Sequence, residues 1–200
     1  MKDGLGKDAV GRLAKALTAT VHDFDAGAFQ RDAVKGLSAL ELRQRVSHII
    51  ATMRRCLPSD FLVVADCFET IPEVWDSGNP GDPLSSFAAW PIVDYVAEYG
   101  LEHPDRALAL LKRLTALFSA EFAVRPFLVQ FPQRALKHFH AWCEDPDPHV
   151  RRLASEGSRP RLPWGKQLKP FVANPDEVLA LLETLKDDPS DYVRRSVANN

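Results

Sequence analysis

An all-α chain is what this 200-residue sequence predicts, and three observations carry that reading. Apolar residues recur at spacings of three and four along most of its length. No segment alternates with period two for long enough to make a strand. The third observation is an internal repeat: DDPSDYVRRSVANN at 187–200 aligns with EDPDPHVRRLASEG at 144–157 at a shift of 43 residues. In that register Pro146 meets Pro189, Val150 meets Val193, and the pair Arg151 and Arg152 meets Arg194 and Arg195. A fainter echo, AEFAVRPFL, puts Val124 and Arg125 in the Val-Arg places. Helix pairs repeating every roughly 40–47 residues are the mark of HEAT-like solenoids, in which each pair buries its apolar face against its neighbours. The expected architecture is a HEAT-like α-solenoid of about ten helices stacked as antiparallel pairs, with a concave basic face.

The elements follow in order. Val10, Leu13, Ala14, Leu17 and Val21 predict an amphipathic helix over Asp8 to Val21. Asp25 caps a short helix, AGAFQRDAV. Leu37-Ser38 then opens a long one, with Leu40, Leu42, Val46, Ile49, Ile50 and Met53 inside and Arg43, Arg45, Arg54 and Arg55 outside, and Pro58 ends it. Ser59 or Asp60 caps Phe61 to Ile71, after which PEVWDSGNPGDPLSS reads as a long loop. Helices resume over Phe87 to Tyr99, with a break before Pro91, then over Asp105 to Phe118, Ala120 to Val129, Gln133 to Cys143, Val150 to Glu156 with Gly157 as its stop, Pro175 to Lys186, and Asp191 onward. The whole reads as one repeat domain over 1–200: amino-terminal helices in 1–72, a loop at 73–86, and repeats carrying the site in 87–200.

Composition excludes several classes. With 46% hydrophobic and 26% charged residues the chain is ordinary for a globular domain, not a disordered one. The start, MKDGLGKDAV, has no apolar core of a signal peptide, and the longest apolar run, Phe61 to Ala65, is far too short for a membrane span, so a cytoplasmic monomer with no membrane partner is expected. Cys56, Cys67 and Cys143 form no CxxC pair, which suits buried thiols in a reducing compartment. His138 and His140 are two apart on a predicted helix and do not share a face, so no metal is expected. There is no P-loop, GxSxG or dinucleotide fingerprint, and no cofactor is implied.

The informative stretch is His149 to Lys169, HVRRLASEGSRPRLPWGKQLK. It holds Arg151, Arg152, Arg159, Arg161, Lys166 and Lys169 against one carboxylate, Glu156, about +5 in a chain whose net charge is −2. Pro160 and Pro163 make Ser158 to Lys166 an extended loop that carries Trp164. Singly such arginines are usually solvated surface. As a group, Arg151, Arg152, Arg159, Arg161, Lys166, Arg194 and Arg195 could clamp phosphates. Trp164 either packs on a deoxyribose or base face or plugs a gap between repeats; Trp75, Trp90 and Trp142 read as packing residues.

With DPHVRRLASEGSRPRLPWG, DDPSDYVRRSVANN and SAEFAVRPF at Ser119 to Phe127 in view, the chain resembles the AlkC branch of the AlkC/AlkD bacterial DNA alkylation-repair glycosylases. The resemblance is strongest from about Ala116 to Asn200 and extends upstream through VHDFDAGAFQRDAVKGLSALELRQRVSHI. It implies a HEAT-like solenoid that holds alkylated duplex DNA and hydrolyses the N-glycosidic bond of cationic N3-alkylated bases, notably 3-methyladenine, without a deep base-flipping pocket. The alternative is a non-catalytic HEAT-like module that binds DNA or protein. Cleaving that bond passes through an oxocarbenium-like state, which a carboxylate stabilises. Glu121 and Glu156 are the candidate carboxylates, with Arg152 and Trp164 completing the catalytic set. Glu156 lies near a helix carboxyl end and follows Arg152 by four, the poorer orientation for an intrahelical pair, so helix stability does not explain it. The family's text runs past VANN to another acidic residue and further repeats. The chain is therefore expected to be cut inside a repeat, with an exposed apolar edge at Val193 and Val197.

Overall fold

The computed structural model describes residues 2–200, and the chain folds as two compact units, Met1–Tyr99 and Gly100–Asn200. Every regular element among the described residues is helical.

The first unit contains α1 (Lys7–Thr20), α2 (Ala26–Val34), α3 (Leu42–Cys56), α4 (Phe61–Glu69), α5 (Ile71–Val74) and α6 (Trp90–Tyr99). Helix α1 packs on α2, α2 on α3 and α3 on α6, around Leu13, Leu17, Phe29, Ile49, Met53 and Tyr95. The long helix opens later than expected. Leu37–Ala39 is a separate 3-10 turn entered through Gly36 at φ 73°, and α3 starts at Leu42 with a capping box in which Glu41 and Gln44 satisfy each other's backbone N–H groups. Arg45 does not face outward: it is buried, and its guanidinium donates to the carbonyls of Leu40 at 3.0 Å and Lys2 at 2.8 Å. Arg12 of α1 does the same for the loop at 75–86, donating to Asp76 O at 2.7 Å and Ser85 O at 2.9 Å.

The second unit contains α7 (Pro104–Leu114), α8 (Arg125–Gln130), α9 (Pro132–Cys143), α10 (Pro148–Ser158), α11 (Lys169–Ala173), α12 (Asp176–Leu185) and α13 (Asp191–Asn199). Helix α9 packs on α7, α8 and α10, and α13 packs on α10 and α12, so the two copies of the repeat, 43 residues apart, are the neighbouring helices α10 and α13. The short α11 carries no periodic signal of its own and was not expected from the sequence.

In three further places the structure departs from the sequence pattern. The helix expected over Ala120 to Val129 is a run of turns from 120 to 124 and becomes α-helix only at Arg125, because Pro126 has no N–H with which to continue the earlier turn. Gly157 is not a stop. It lies inside α10, where a Cβ would sit 2.7 Å from Val124 Cγ2 and 3.3 Å from the Phe139 ring, so it serves close packing. The helix ends instead at Arg159, whose ψ of 117° is what the following Pro160 requires. Val193 is not an exposed edge, being fully buried on α13, whereas Val197 is half-buried beside the exposed Leu179.

The two aligned arginines explain why the repeat keeps its Asp-Pro step. Arg151 Nη1 donates to Asp145 O at 2.8 Å and Pro146 O at 3.0 Å, and Arg194 Nη1 donates to Asp188 O at 2.6 Å and Pro189 O at 3.0 Å. In each repeat the arginine folds back to satisfy the turn that opens its own helix. Arg151 also grips Asp188 with Nε at 2.6 Å and Nη2 at 3.0 Å, joining one repeat to the next.

Two measurements check this packing. Gly157→Ala should lower stability by about 1–3 kcal/mol through overpacking, read from the urea midpoint. The hydrogen bonds from Arg151 hold the Asp188 carboxyl below its ordinary value of 3.8, so its stabilising contribution is complete above that pH and disappears as pH falls through the lower folded value. Asp188→Asn should therefore flatten the loss of stability below about pH 4, and an unchanged acid profile would show that the pair is not coupled to folding.

Candidate active site

The turn at 120–124 and helix α10 bring Glu121 and Glu156 onto one guanidinium. Arg152 Nη1 donates to Glu121 Oε2 at 2.7 Å and to Ser119 Oγ at 2.7 Å, and the Ser119 hydroxyl donates to the same Glu121 oxygen at 2.8 Å. Arg152 Nη2 lies 3.6 Å from Glu156 Oε2. That oxygen accepts from Ser196 Oγ on α13 at 2.7 Å, and Glu156 Oε1 accepts from Arg159 Nη1 at 3.2 Å. Ser196 Oγ is also 3.0 Å from Ser155 Oγ, and Asn200 Nδ2 donates to Ser155 O at 2.8 Å.

Local sequence produces this arrangement. Because Pro126 delays the helix, Glu121 sits in an open turn braced by Thr115, whose Oγ1 accepts from Ala120 N at 3.2 Å. Glu156 is 6% exposed on α10 and faces the small side chains of α13, where Ser196 leaves room for it. Burial works to lower the Arg152 pKa, but the charge of Glu121, with Tyr192 and Glu156 after it, holds it above its ordinary value. The Tyr192 ring of α13 lies 5.2 Å from the Arg152 guanidinium and meets His149 edge to face at 5.5 Å. The two carboxylates differ in one respect. Both oxygens of Glu156 are engaged, while Oε1 of Glu121 accepts no hydrogen bond from any described residue.

The basic loop stands next to this cluster. Leu162 and Leu168 are buried anchors, Gly165 N donates to Leu162 O at 3.0 Å, and Leu168 N donates to Pro160 O at 3.0 Å. Between them Trp164 adopts a left-handed φ of 62° and is 82% exposed. Trp90 and Trp142 are buried, whereas Trp164 does not plug a gap. Arg161, Lys166 and Lys169 are exposed on the same loop and its exit.

The remaining basic candidates divide by what they already hold. Arg151 and Arg194 are committed to turn carbonyls, and Arg151 to Asp188 as well. Arg195 is exposed and pairs with Asp191 at 3.1 Å. Arg159 is shared with Glu156. The sequence pattern does not single out Ser119, Ser196 or Tyr192, since serines and a lone tyrosine carry no spacing signal. No group of three or more His, Cys, Asp or Glu suited to a metal ion occurs among the described residues. His138 instead faces Asp105 at 3.1 Å.

A stack of helix pairs with a charged cluster between repeats and a basic, tryptophan-bearing loop defines a HEAT-like helical protein with a polar inter-repeat site. Comparison with known proteins makes the class specific. The solved structure of the Pseudomonas fluorescens alkylpurine DNA glycosylase AlkC, bound to DNA containing an abasic site analogue, matches 99% of this chain with a TM-score of 0.87 and 37% sequence identity, and the match takes in 53% of that protein. The chain shares the helical fold of the matched part of that protein. The uncharacterized protein YhaZ of Bacillus subtilis (strain 168) is 34% identical over 201 residues, all of this chain and 54% of YhaZ. The chain thus spans about half the length of the relatives it matches. No family model matches the sequence.

Replacing Arg152 by Met removes the cation from two carboxylates that are each less than one-fifth exposed. Such a change should cost about 3–5 kcal/mol of stability in urea unfolding. Trp164→Ala should stay within about 0.5 kcal/mol of the parent, since that residue is 82% exposed. A large loss from Trp164→Ala would show that the loop is part of the core.

Proposed function

We propose that this chain carries the site of a DNA glycosylase that removes cationic N3-alkylated bases such as 3-methyladenine from duplex DNA. The observation that supports it most is the joining of Glu121 and Glu156, from successive repeats, on Arg152 beside an exposed basic loop. The similarity to an alkylpurine DNA glycosylase seen on abasic-site DNA supports the same reading.

The chemistry follows from charge. An N3-alkylated base is already cationic and leaves as a neutral molecule, so the reaction needs little acid catalysis. What needs help is the positive charge that develops on the sugar as the bond breaks, together with a water to complete hydrolysis. Glu121, with one carboxylate oxygen unengaged, is the group to face that sugar. Glu156, held by Ser196 and Arg159, fixes Arg152 from the other side and keeps the site charge-balanced before the lesion arrives. Trp164 lies on the sugar or base face, and Arg159, Arg161, Lys166 and Arg195 contact phosphates. Arg151 and Arg194 support those contacts from beneath by fixing the turns. No cofactor takes part, and the chain acts as a monomer in the cytoplasm; no helix among the described residues is long and apolar enough to cross a membrane.

The test is single-turnover release of 3-methyladenine from a methylated duplex. Glu121→Gln keeps size and hydrogen bonding but deletes the charge, and should slow release by about 10²–10³ with duplex affinity unchanged. Glu156→Gln should also slow release. Full activity in both variants would remove the carboxylates from the reaction, and thermal melting measured alongside separates lost chemistry from lost folding.

A further inference from the structure

Arg125 is not among the groups assigned above, yet it is 3% exposed and its hydrogen bonds all go to backbone carbonyls. Nη1 donates to Gly157 O at 3.1 Å and to Arg159 O at 2.9 Å, at the start of the basic loop. Nε donates to Lys166 O at 2.8 Å, at its end, and Nη2 reaches the same oxygen. Burial pulls its pKa down to about 10, against the opposing charge of Glu121, so it remains cationic at neutral pH.

In the repeat register Arg125 occupies the place of Arg151 and Arg194. Those two fold back on the Asp-Pro turn that opens their own helix. The segment before Arg125, SAEFAV, has no Asp-Pro step. Its guanidinium reaches instead across 32 to 41 residues into the following repeat. We propose that Arg125 is the positioning residue of the basic loop. It ties the loop's two ends to one buried group, so that Trp164, Arg161 and Lys166 are held out in a fixed arrangement. A planar fork with five donors reaches three separated carbonyls from three nitrogens, whereas an ammonium offers its three donors from a single nitrogen. Gly165 fits this role, since a Cβ there would stand 3.4 Å from Arg125 Nε and 3.2 Å from Leu162.

The first arm of the test needs no DNA. In hydrogen exchange on the full chain, Arg125→Met should speed amides 158–168 by about tenfold to a hundredfold, the effect of leaving buried carbonyls without a donor. Amides of α1 to α3 should not change, and Arg125→Lys should give the same pattern at smaller amplitude. Unchanged exchange at 158–168, or equal acceleration throughout the second unit, would overturn the proposal. If Arg125→Met does not fold, the lysine variant decides by the same criterion. The second arm rests on the glycosylase reading. Affinity for a methylated duplex, measured in a double-mutant cycle with Trp164→Ala, should fall by about tenfold for Arg125→Met and much less when Trp164 is already absent. Independent effects would mean that Arg125 does not act through the loop. A parent chain that binds no duplex would overturn the function proposed above, while the exchange result would still decide the role of Arg125.

Discussion

The bridge from Glu121 through Arg152 to Glu156 is the interaction on which the rest of the second unit depends, because it ties a turn at the end of one repeat to the helix of the next and, through Ser196, to the helix after that. Two carboxylates brought close together in a partly buried place repel, and each loses hydration. A single guanidinium between them offsets part of both costs, and further donors to Glu156 and to Oε2 of Glu121 offset more. Ser119, Ser196 and Arg159 supply them. Buried ion triads of this kind are often replaceable by apolar side chains with no loss of stability, so stability alone does not account for one here. The proposed role in base removal supplies a reason, since the triad lies beside an exposed basic loop.

Arginine serves the fold and the site in different ways, and the difference lies in what each guanidinium touches. Arg45, Arg12, Arg151 and Arg194 turn inward onto backbone carbonyls, each closing a turn or loop that lacks enough internal donors. Arg161 and Lys166 stay exposed because the loop that carries them is anchored from below by Leu162, Leu168 and Arg125. The same residue type is thus both buried scaffold and exposed surface, and a charge count along the sequence does not separate them.

Much of the fold was legible because it follows from period and punctuation. The spacing of Val10, Leu13 and Leu17, the Asp caps at Asp25 and Asp60, and the repeated Asp-Pro steps fix helix after helix. What local reading missed was set by packing at a distance. Gly157 reads as a helix stop, but Val124 and Phe139 require its small size. Arg45 reads as surface, yet the carbonyls of Lys2 and Leu40 draw it in. In the site, Glu121, Arg152 and Glu156 could be nominated as charged residues at repeat boundaries. That one guanidinium joins them, and that Ser196 holds the far side, depends on residues 31 and 40 positions apart meeting in space.

The most direct measurement is a crystal structure of this chain with a duplex that carries an abasic-site analogue. The expected result places the abasic sugar within hydrogen-bond distance of Glu121 or of a water it holds, with Arg152 still bridging to Glu156, Trp164 against the sugar or the neighbouring base, and Arg161 and Lys166 on phosphates. A duplex bound at another surface, with the Glu121–Arg152–Glu156 cluster remote from the lesion, would contradict the assignment of this cluster as the site of base removal.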